Sequence, residues 1–353
     1  MRVLMTADAV GGVWSHALTL ARGLTARGAA VRLLVPGPPP DAARMADAAG
    51  LDVVPVSLDL EWRDKAGLFP DHAARLLRRA ATDFAPDVVH VNGYREAAAG
   101  FAAPVLIGAH SCVRTWWRAC RGGNPPADWG AYDAGVVAGL RRARVLVAPS
   151  RAFLAAFRDA WGALPETAVI PNGAASPAFS VPPPKRPVVL AAGRLWDEAK
   201  GIALLEAVAP DLPWPVRLAG DGGEGTGTVR LGRLAHGDLL DEMAGAAIFA
   251  APARYEPFGL AVLEAAAKGC ALVLSDIPGF RELWDGAARF VPPDDADGLR
   301  RGLRDVIAGD AERERLQRAA LVRAGRYDAG RMAQSYLDLY RCLVAQHPRE
   351  AAA

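Results

Sequence analysis

The chain has 353 residues, 52% of them apolar and 23% charged, which excludes a disordered or fibrous protein and suits two buried cores. Its formal net charge of +2 lacks the basic excess of a dedicated nucleic-acid binder, so no nucleic-acid partner is expected. Cys112, Cys120, Cys270 and Cys342 form no Cys-x-x-Cys pair and have no nearby histidine ligands, which argues against a zinc site or a disulfide framework.

Met1-Arg2-Val3-Leu4-Met5 passes straight into polar, glycine-containing sequence, with no signal-peptide core and no apolar run long enough to span a bilayer, so a cytoplasmic location is expected. Short apolar runs then alternate with longer amphipathic stretches, the rhythm of β-α-β units feeding a parallel sheet. Val3–Met5, Val31–Val35, Val88–Val91, Val105–Ile107 and Val145–Val147 read as strands, with helices at Val13–Arg27 and His72–Phe84 between them. Up to Pro171 the chain carries 19 basic and 15 acidic residues, a mild excess that suits solvated surface and allows at most a weak peripheral contact with an anionic membrane.

Pro171-Asn172-Gly173 is a turn signal, and the prolines of Val181–Pro187 lack the amide donors a helix or central strand requires. The rhythm restarts at Val188–Leu190 and runs through Val216–Leu218, Ile248–Ala250, Leu272–Leu274 and Arg289–Val291. From Leu299 on, a composition rich in Arg, Ala, Leu and Glu predicts two or three terminal helices, with a frayed end over 347–353. The expected organisation is an α/β chain of two Rossmann-like domains, 1–172 and 188–327, joined by a Pro-rich linker, 173–187. The last helix, about 328–353, is expected to complete the first domain.

Two glutamates, Glu256 and Glu264, bracket the loop Pro257-Phe258-Gly259 and the opening of a helix starting near Phe258. That spacing is slightly over two turns, so the second acid falls near the face the first overlooks. Unpaired amides at such a helix start suit a phosphate. Gly193-Arg194-Leu195 ends the first strand of the second half and Lys200-Gly201 opens the next helix, so two cations bracket a loop at the carboxyl edge of a sheet, where open α/β folds bind ligands. Taken singly, the two glutamates read equally well as a cap and a helix-surface acid, and the two cations read better as solvated side chains.

Together with Gly220-Asp221-Gly222, Pro171-Asn172-Gly173 and Gly11-Gly12 followed by His16, these motifs run in one order along nearly the whole chain, and in that order they resemble the family-four group of retaining GT-B glycosyltransferases. The resemblance implies two Rossmann-like domains facing each other across a cleft. It also implies a nucleotide-sugar donor, UDP- or GDP-linked by family frequency, with no other cofactor and no metal. By the same resemblance Arg194 and Lys200 bind the donor diphosphate, and Glu264 holds the ribose hydroxyls. Glu256 and the amides of Phe258, Gly259 and Leu260 meet the donor sugar and its phosphate, and Gly12 lets its loop approach the reacting centre. His110 corresponds to the active-site histidine facing the donor sugar. The implied acceptor is a hydroxyl on a glycan or glycolipid.

Arg114, Trp116 and Trp117 lie on the acceptor side of such a fold, where aromatic rings stack on sugars and arginine meets acidic groups; the same stretch could also be a packed lid. Asp295-Ala296-Asp297 has the form of a metal-binding pair but sits in a turn before a helix, where a cap is the better account. The glycines of Gly222–Gly227 disfavour the helix that relatives carry there and predict a short loop. Ala9–Trp14 lacks the G-x-G-x-x-G spacing of a nicotinamide dehydrogenase. A nucleotide-sugar epimerase or a non-catalytic binding subunit would share the architecture.

Overall fold

The computed structural model describes residues 1–64, 71–174, 184–222 and 227–347. Most of the expected linker, most of the glycine run after Gly222 and all of the expected frayed tail but His347 fall outside them. The chain divides into two compact units. The first comprises Met1–Arg118, Gly123–Gly173 and Ala329–Ala353, and the second Ala119–Gly122 and Ala174–Asp328.

The first unit carries seven parallel strands: β1 (Arg2–Thr6), β2 (Ala30–Pro36), β3 (Asp52–Val56), β4 (Val88–Val91), β5 (Val105–Gly108), β6 (Val145–Ala148) and β7 (Glu166–Val169). Their order is β3-β2-β1-β4-β5-β6-β7, so the winding reverses between β1 and β4. The four residues of β4, β5 and β6 are all buried, which is why central parallel strands read as unbroken apolar runs. The edge strands β3 and β7 are half-exposed and less apolar, and the expected strands do not include them. Pro55 is tolerated because β3 lies at an edge.

The terminal helix Ala329–Ala345 belongs to this unit and packs Met332, Tyr336 and Tyr340 into the same core as Trp14, Leu18 and Ala21 of the helix Gly12–Thr25. Gly23 makes the approach of the two helices possible, since a Cβ there would lie 2.5 Å from that of Ala333.

The second unit has six parallel strands: β8 (Arg186–Ala192), β9 (Val216–Ala219), β10 (Val229–Gly232), β11 (Ala246–Ala251), β12 (Ala271–Ser275) and β13 (Ala288–Val291). In the order β10-β9-β8-β11-β12-β13 the reversal falls between β8 and β11. Alternation along β8 sends Val189 and Ala191 into one core cluster and Leu190 into another, so both faces of the sheet are covered. Three helices, Ala296–Ala308, Asp310–Ala324 and Ala329–Ala345, follow β13. Among the described residues, no helix is long and apolar enough to cross a membrane.

Candidate functional site

In the second unit the loops after β8 and β11 flank the reversal point, where open α/β sheets bind ligands. Gly201, with φ +64°, seats one loop against the other: a Cβ there would lie 2.0 Å from the carbonyl oxygen of Pro252. The Arg254 amide donates to the Ala199 carbonyl at 2.8 Å and joins them further. This close approach places Lys200 Nζ 2.5 Å from Glu256 Oε2, with both side chains largely buried.

Arg194 follows Gly193 at the end of β8, and its guanidinium donates to Asp197 Oδ2 at 2.6 and 3.2 Å. Asp197 is buried and also accepts from the Ala199 amide at 3.0 Å, so the carboxylate shapes the turn that presents Lys200. Arg194 lies 5.6 Å from the ring of Trp196, which is 59% exposed. The two expected diphosphate cations thus emerge from one short loop, each held by a carboxylate.

The helix after β11 spans Leu260–Ala267 and begins two residues later than expected. Gly259 adopts φ +86°, a left-handed conformation that bends the chain into the helix and has no side-chain cap. The unpaired first-turn amides therefore start at Leu260. The Phe258 ring is buried against Tyr327, with centroids 5.6 Å apart, so only the backbone of Phe258 is left for a ligand. Glu264 Oε1 lies 2.9 Å from His236 Nε2 and accepts when that nitrogen carries a proton, whereas Glu256 pairs with Lys200. The two glutamates have separate partners rather than a shared one.

In the first unit, His110 follows β5, and its Nε2 lies 2.7 Å from Asn92 Oδ1 at the end of β4. His16, at the start of the second turn of the helix Gly12–Thr25, meets His110 edge-on with centroids 4.5 Å apart. His90 stacks on Tyr336 at 5.2 Å, and its Nδ1 lies 2.7 Å from the Tyr340 hydroxyl. Burial holds all three imidazoles neutral: His110 falls to about 4 and His90 to about 3, and His16 is pushed well below its usual value. Neither ring nitrogen of His16 has a partner in hydrogen-bond geometry among the described residues, although Asn172 is close enough to act on it electrostatically. No group of three His, Cys, Asp or Glu side chains among the described residues is arranged to hold a metal ion.

Gly12 is exposed at the start of its helix, after Gly11 with φ +76° and a turn closed by Val10 N–H to Asp8 Oδ1 at 3.0 Å. Below this loop Glu96 is buried and accepts from the Thr6 hydroxyl at 2.5 Å. Burial and then the neighbouring Glu61 raise the Glu96 carboxyl to about 7.

Arg114, an expected acceptor contact, is engaged by partners of its own unit. Its guanidinium donates to Asp133 at 2.6 and 3.1 Å and to the Ala160 carbonyl at 2.9 Å, and it lies over the Trp161 ring at 4.2 Å. These partners commit it to joining helices. Trp116 and Trp117 are half-buried and meet edge-on, with centroids 5.9 Å apart. Asp295 accepts from the Gly298 amide at 2.8 Å as a helix cap, and Asp297 pairs with Arg300.

Sequence reasoning did not single out Asn92. A signal was available: His90 and Asn92 are two apart at a strand end, so their side chains fall on the same side.

The Glycosyltransferase Family 4 model matches residues 10–175, and the Glycosyl transferases group 1 model matches residues 186–309. The phosphatidyl-myo-inositol mannosyltransferase of Mycolicibacterium smegmatis is 33% identical over 195 residues, 48% of this chain and 50% of that protein, so the chain spans about half the length of that relative in the match. The D-inositol 3-phosphate glycosyltransferase of Xylanimonas cellulosilytica is 27% identical over 97% of this chain and 94% of its own. Among solved structures, sucrose-phosphate synthase from Thermosynechococcus elongatus superposes with a TM-score of 0.81 at 19% identity, covering 98% of this chain and all of that one. Anabaena HepE in complex with UDP and glucose gives a TM-score of 0.77 at 19% identity, covering 97% of this chain and 100% of that one. With both family models matched in sequence order and the fold shared along nearly its whole length, the chain belongs to the family-4 group of GT-B glycosyltransferases.

Proposed function

We propose that this protein moves a hexosyl group from a nucleoside-diphosphate sugar to a hydroxyl on another sugar or a glycolipid intermediate, with retention of configuration and without a metal. The observation that carries the reading is the Lys200–Glu256 pair at the reversal point of the second sheet, with Arg194 emerging from the same loop.

In such a transfer the bond from the anomeric carbon to the diphosphate oxygen breaks, and both electrons leave with the phosphate. The acceptor oxygen bonds to that carbon, and its proton ends on the released diphosphate. Negative charge therefore grows on the leaving group, and prepositioned cations lower the barrier. Lys200 and Arg194 supply that charge, and the amides opening the helix Leu260–Ala267 add donors. Glu264 accepts hydrogen bonds from the ribose hydroxyls, and Glu256 orients Lys200 before the donor arrives. His110 meets the donor sugar as a neutral imidazole. Attack from the face the phosphate leaves requires no enzymatic nucleophile, so neither glutamate needs to form a covalent bond.

Metal independence is supported by the commitment of Asp295 to a helix cap and Asp297 to an ion pair. The names of the relatives favour a mannosyl donor and UDP-glucose as the first to try, and a phosphatidylinositol or inositol phosphate among the first acceptors. Because Arg114 is committed elsewhere, Trp116 and Trp117 are the remaining aromatic candidates for stacking on the acceptor.

The test is slow release of free nucleoside diphosphate from UDP-glucose, GDP-mannose, UDP-N-acetylglucosamine and ADP-glucose, each supplied alone. Release from one donor, lost in Lys200→Ala and Glu264→Ala, is the expected result. Neither release nor binding with any donor would overturn the proposal in favour of a non-catalytic subunit.

A further inference from the structure

We propose that Asn92 is a positioning residue that locks His110 in the tautomer with its proton on Nε2, leaving Nδ1 as a lone-pair acceptor for a donor-sugar hydroxyl. The inference deepens the proposed function, and rests on the donor-sugar role given there to His110.

The hydrogens that join Asn92 to the Thr6 carbonyl and to His110 each have a single allowed direction. Asn92 Nδ2 lies 2.6 Å from the backbone carbonyl of Thr6, which can only accept, so the amide nitrogen faces that oxygen. The other end of the amide, 2.7 Å from His110 Nε2, is therefore the oxygen. An amide oxygen cannot donate, so Nε2 carries the proton.

Thr6 grips Asn92 a second time. The Asn92 backbone amide donates to Thr6 Oγ1 at 3.0 Å, and the Thr6 hydroxyl in turn donates to Glu96 Oε2 at 2.5 Å. Rotation of the amide by half a turn would set its NH2 against the imidazole and its oxygen against a carbonyl, leaving two buried acceptors face to face. The order from His110 through Asn92 to the Thr6 carbonyl therefore runs one way only.

The surroundings keep the ring uncharged. Burial lowers His110 to about 4, and His16 packs edge-on against it at 4.5 Å between centroids. His90 Nε2 belongs to the same cluster; it has no partner in hydrogen-bond geometry among the described residues, although the Asn92 side chain is close enough to act on it. An uncharged acceptor suits the chemistry, because a transferring sugar ring develops positive charge that an imidazolium would oppose. A hydroxyl meeting His110 must then donate to it. Fluorine at that sugar position, which cannot donate, should be discriminated against as strongly as its removal.

The experiment is long-range proton–nitrogen NMR correlation of the histidine rings in the full-length, nitrogen-15-labelled protein near neutral pH, without any nucleotide sugar. The resonance lost in His110→Gln identifies the ring. The expected spectrum shows a protonated Nε2 and an unprotonated Nδ1, and Asn92→Leu is expected to shift the ring toward a mixture or the opposite tautomer. A protonated Nδ1 or an even mixture in the parent protein, or an unchanged tautomer in a folded Asn92→Leu variant, would overturn the proposal. If Asn92→Leu does not fold, the parent spectrum decides alone. Failure of the transferase reading would appear separately, as absent donor turnover in a protein whose His110 still has the expected tautomer.

Discussion

Lys200 Nζ lies 2.5 Å from Glu256 Oε2, although the two residues are 56 positions apart and follow different strands. Gly201 is the physical reason, since any side chain there would strike the Pro252 carbonyl and hold the two loops apart. Removing the ammonium in Lys200→Ala should lower donor turnover by about 10²–10³-fold, the usual cost of losing one prepositioned electrostatic group. Nucleoside diphosphate release measures it, and turnover within about threefold of the parent would remove Lys200 from the mechanism.

Glu264 sits in the helix that opens after Gly259, with one oxygen near His236 Nε2. Glu264→Ala should weaken nucleoside diphosphate binding by about 10–100-fold, since hydrogen bonds to a charged group contribute about 1.5–3 kcal/mol. Titration calorimetry with UDP and GDP reads this directly. Unaltered affinity would mean that the ribose is held elsewhere.

Two glycines of the helix Gly130–Arg142 should respond in opposite senses to alanine. At Gly139 a Cβ would lie 1.9 Å from the Tyr94 carbonyl oxygen, whereas at Gly130 nothing lies within 4 Å. Gly139→Ala should therefore destabilise the protein by about 2–4 kcal/mol through overpacking against backbone. Gly130→Ala should be neutral or add up to about 1 kcal/mol through lower unfolded-state entropy. Chemical denaturation compares them, and equal effects would mean that the backbone contact is readily relieved.

The buried Glu96 should make stability depend on pH in a definite direction. Its carboxyl is raised to about 7 by burial and the nearby Glu61, above its ordinary value of 4.5. Between those pH values the folded state holds a proton that the unfolded state has released, so the contribution from burying a neutral acid is full below about 4.5 and is lost as pH rises through about 7. Glu96→Gln removes this dependence. The melting temperature of the variant minus that of the parent should be larger at pH 8 than at pH 4.5, and a difference that is flat or falls with pH would contradict the assignment.

Transfer should persist in EDTA, because Arg194, Lys200 and the helix amides take the place of a metal in the proposed mechanism. Asp297→Ala should likewise leave turnover within about twofold, since Asp297 is exposed and its ion pair with Arg300 lies at the surface. Loss of activity in chelator, restored by Mg²⁺ or Mn²⁺, would refute the metal-free reading.

Much of the fold was legible in the chain because burial on both faces leaves a direct trace: β4, β5, β6 and β12 are unbroken stretches of buried residues. The edge strands β3 and β7 left a weaker trace because solvent on one side admits Asp52, Pro55, Glu166 and Thr167. The helix start was misjudged by two residues because the left-handed turn at Gly259 postpones it. Arg114 could be read as available only while its partners Asp133 and Ala160, 19 and 46 positions away, were out of view.

The candidate site divides along the same line. Sequence alone could name Arg194, Lys200, Glu256, Glu264 and His110 through the family resemblance that their motifs carry jointly and in order, whereas local spacing by itself left each of them open to an ordinary surface or capping role. Which of them meet was decided by tertiary structure. Lys200 reaches Glu256 because β8 and β11 are neighbours, and His110 reaches Asn92 because β5 pairs with β4. His90 and Tyr340, 250 residues apart, touch because the last helix packs into the first core. Periodicity and propensity act over a few residues, whereas strand order, helix return and the direction of each buried hydrogen bond are settled only when distant segments must satisfy one another without water.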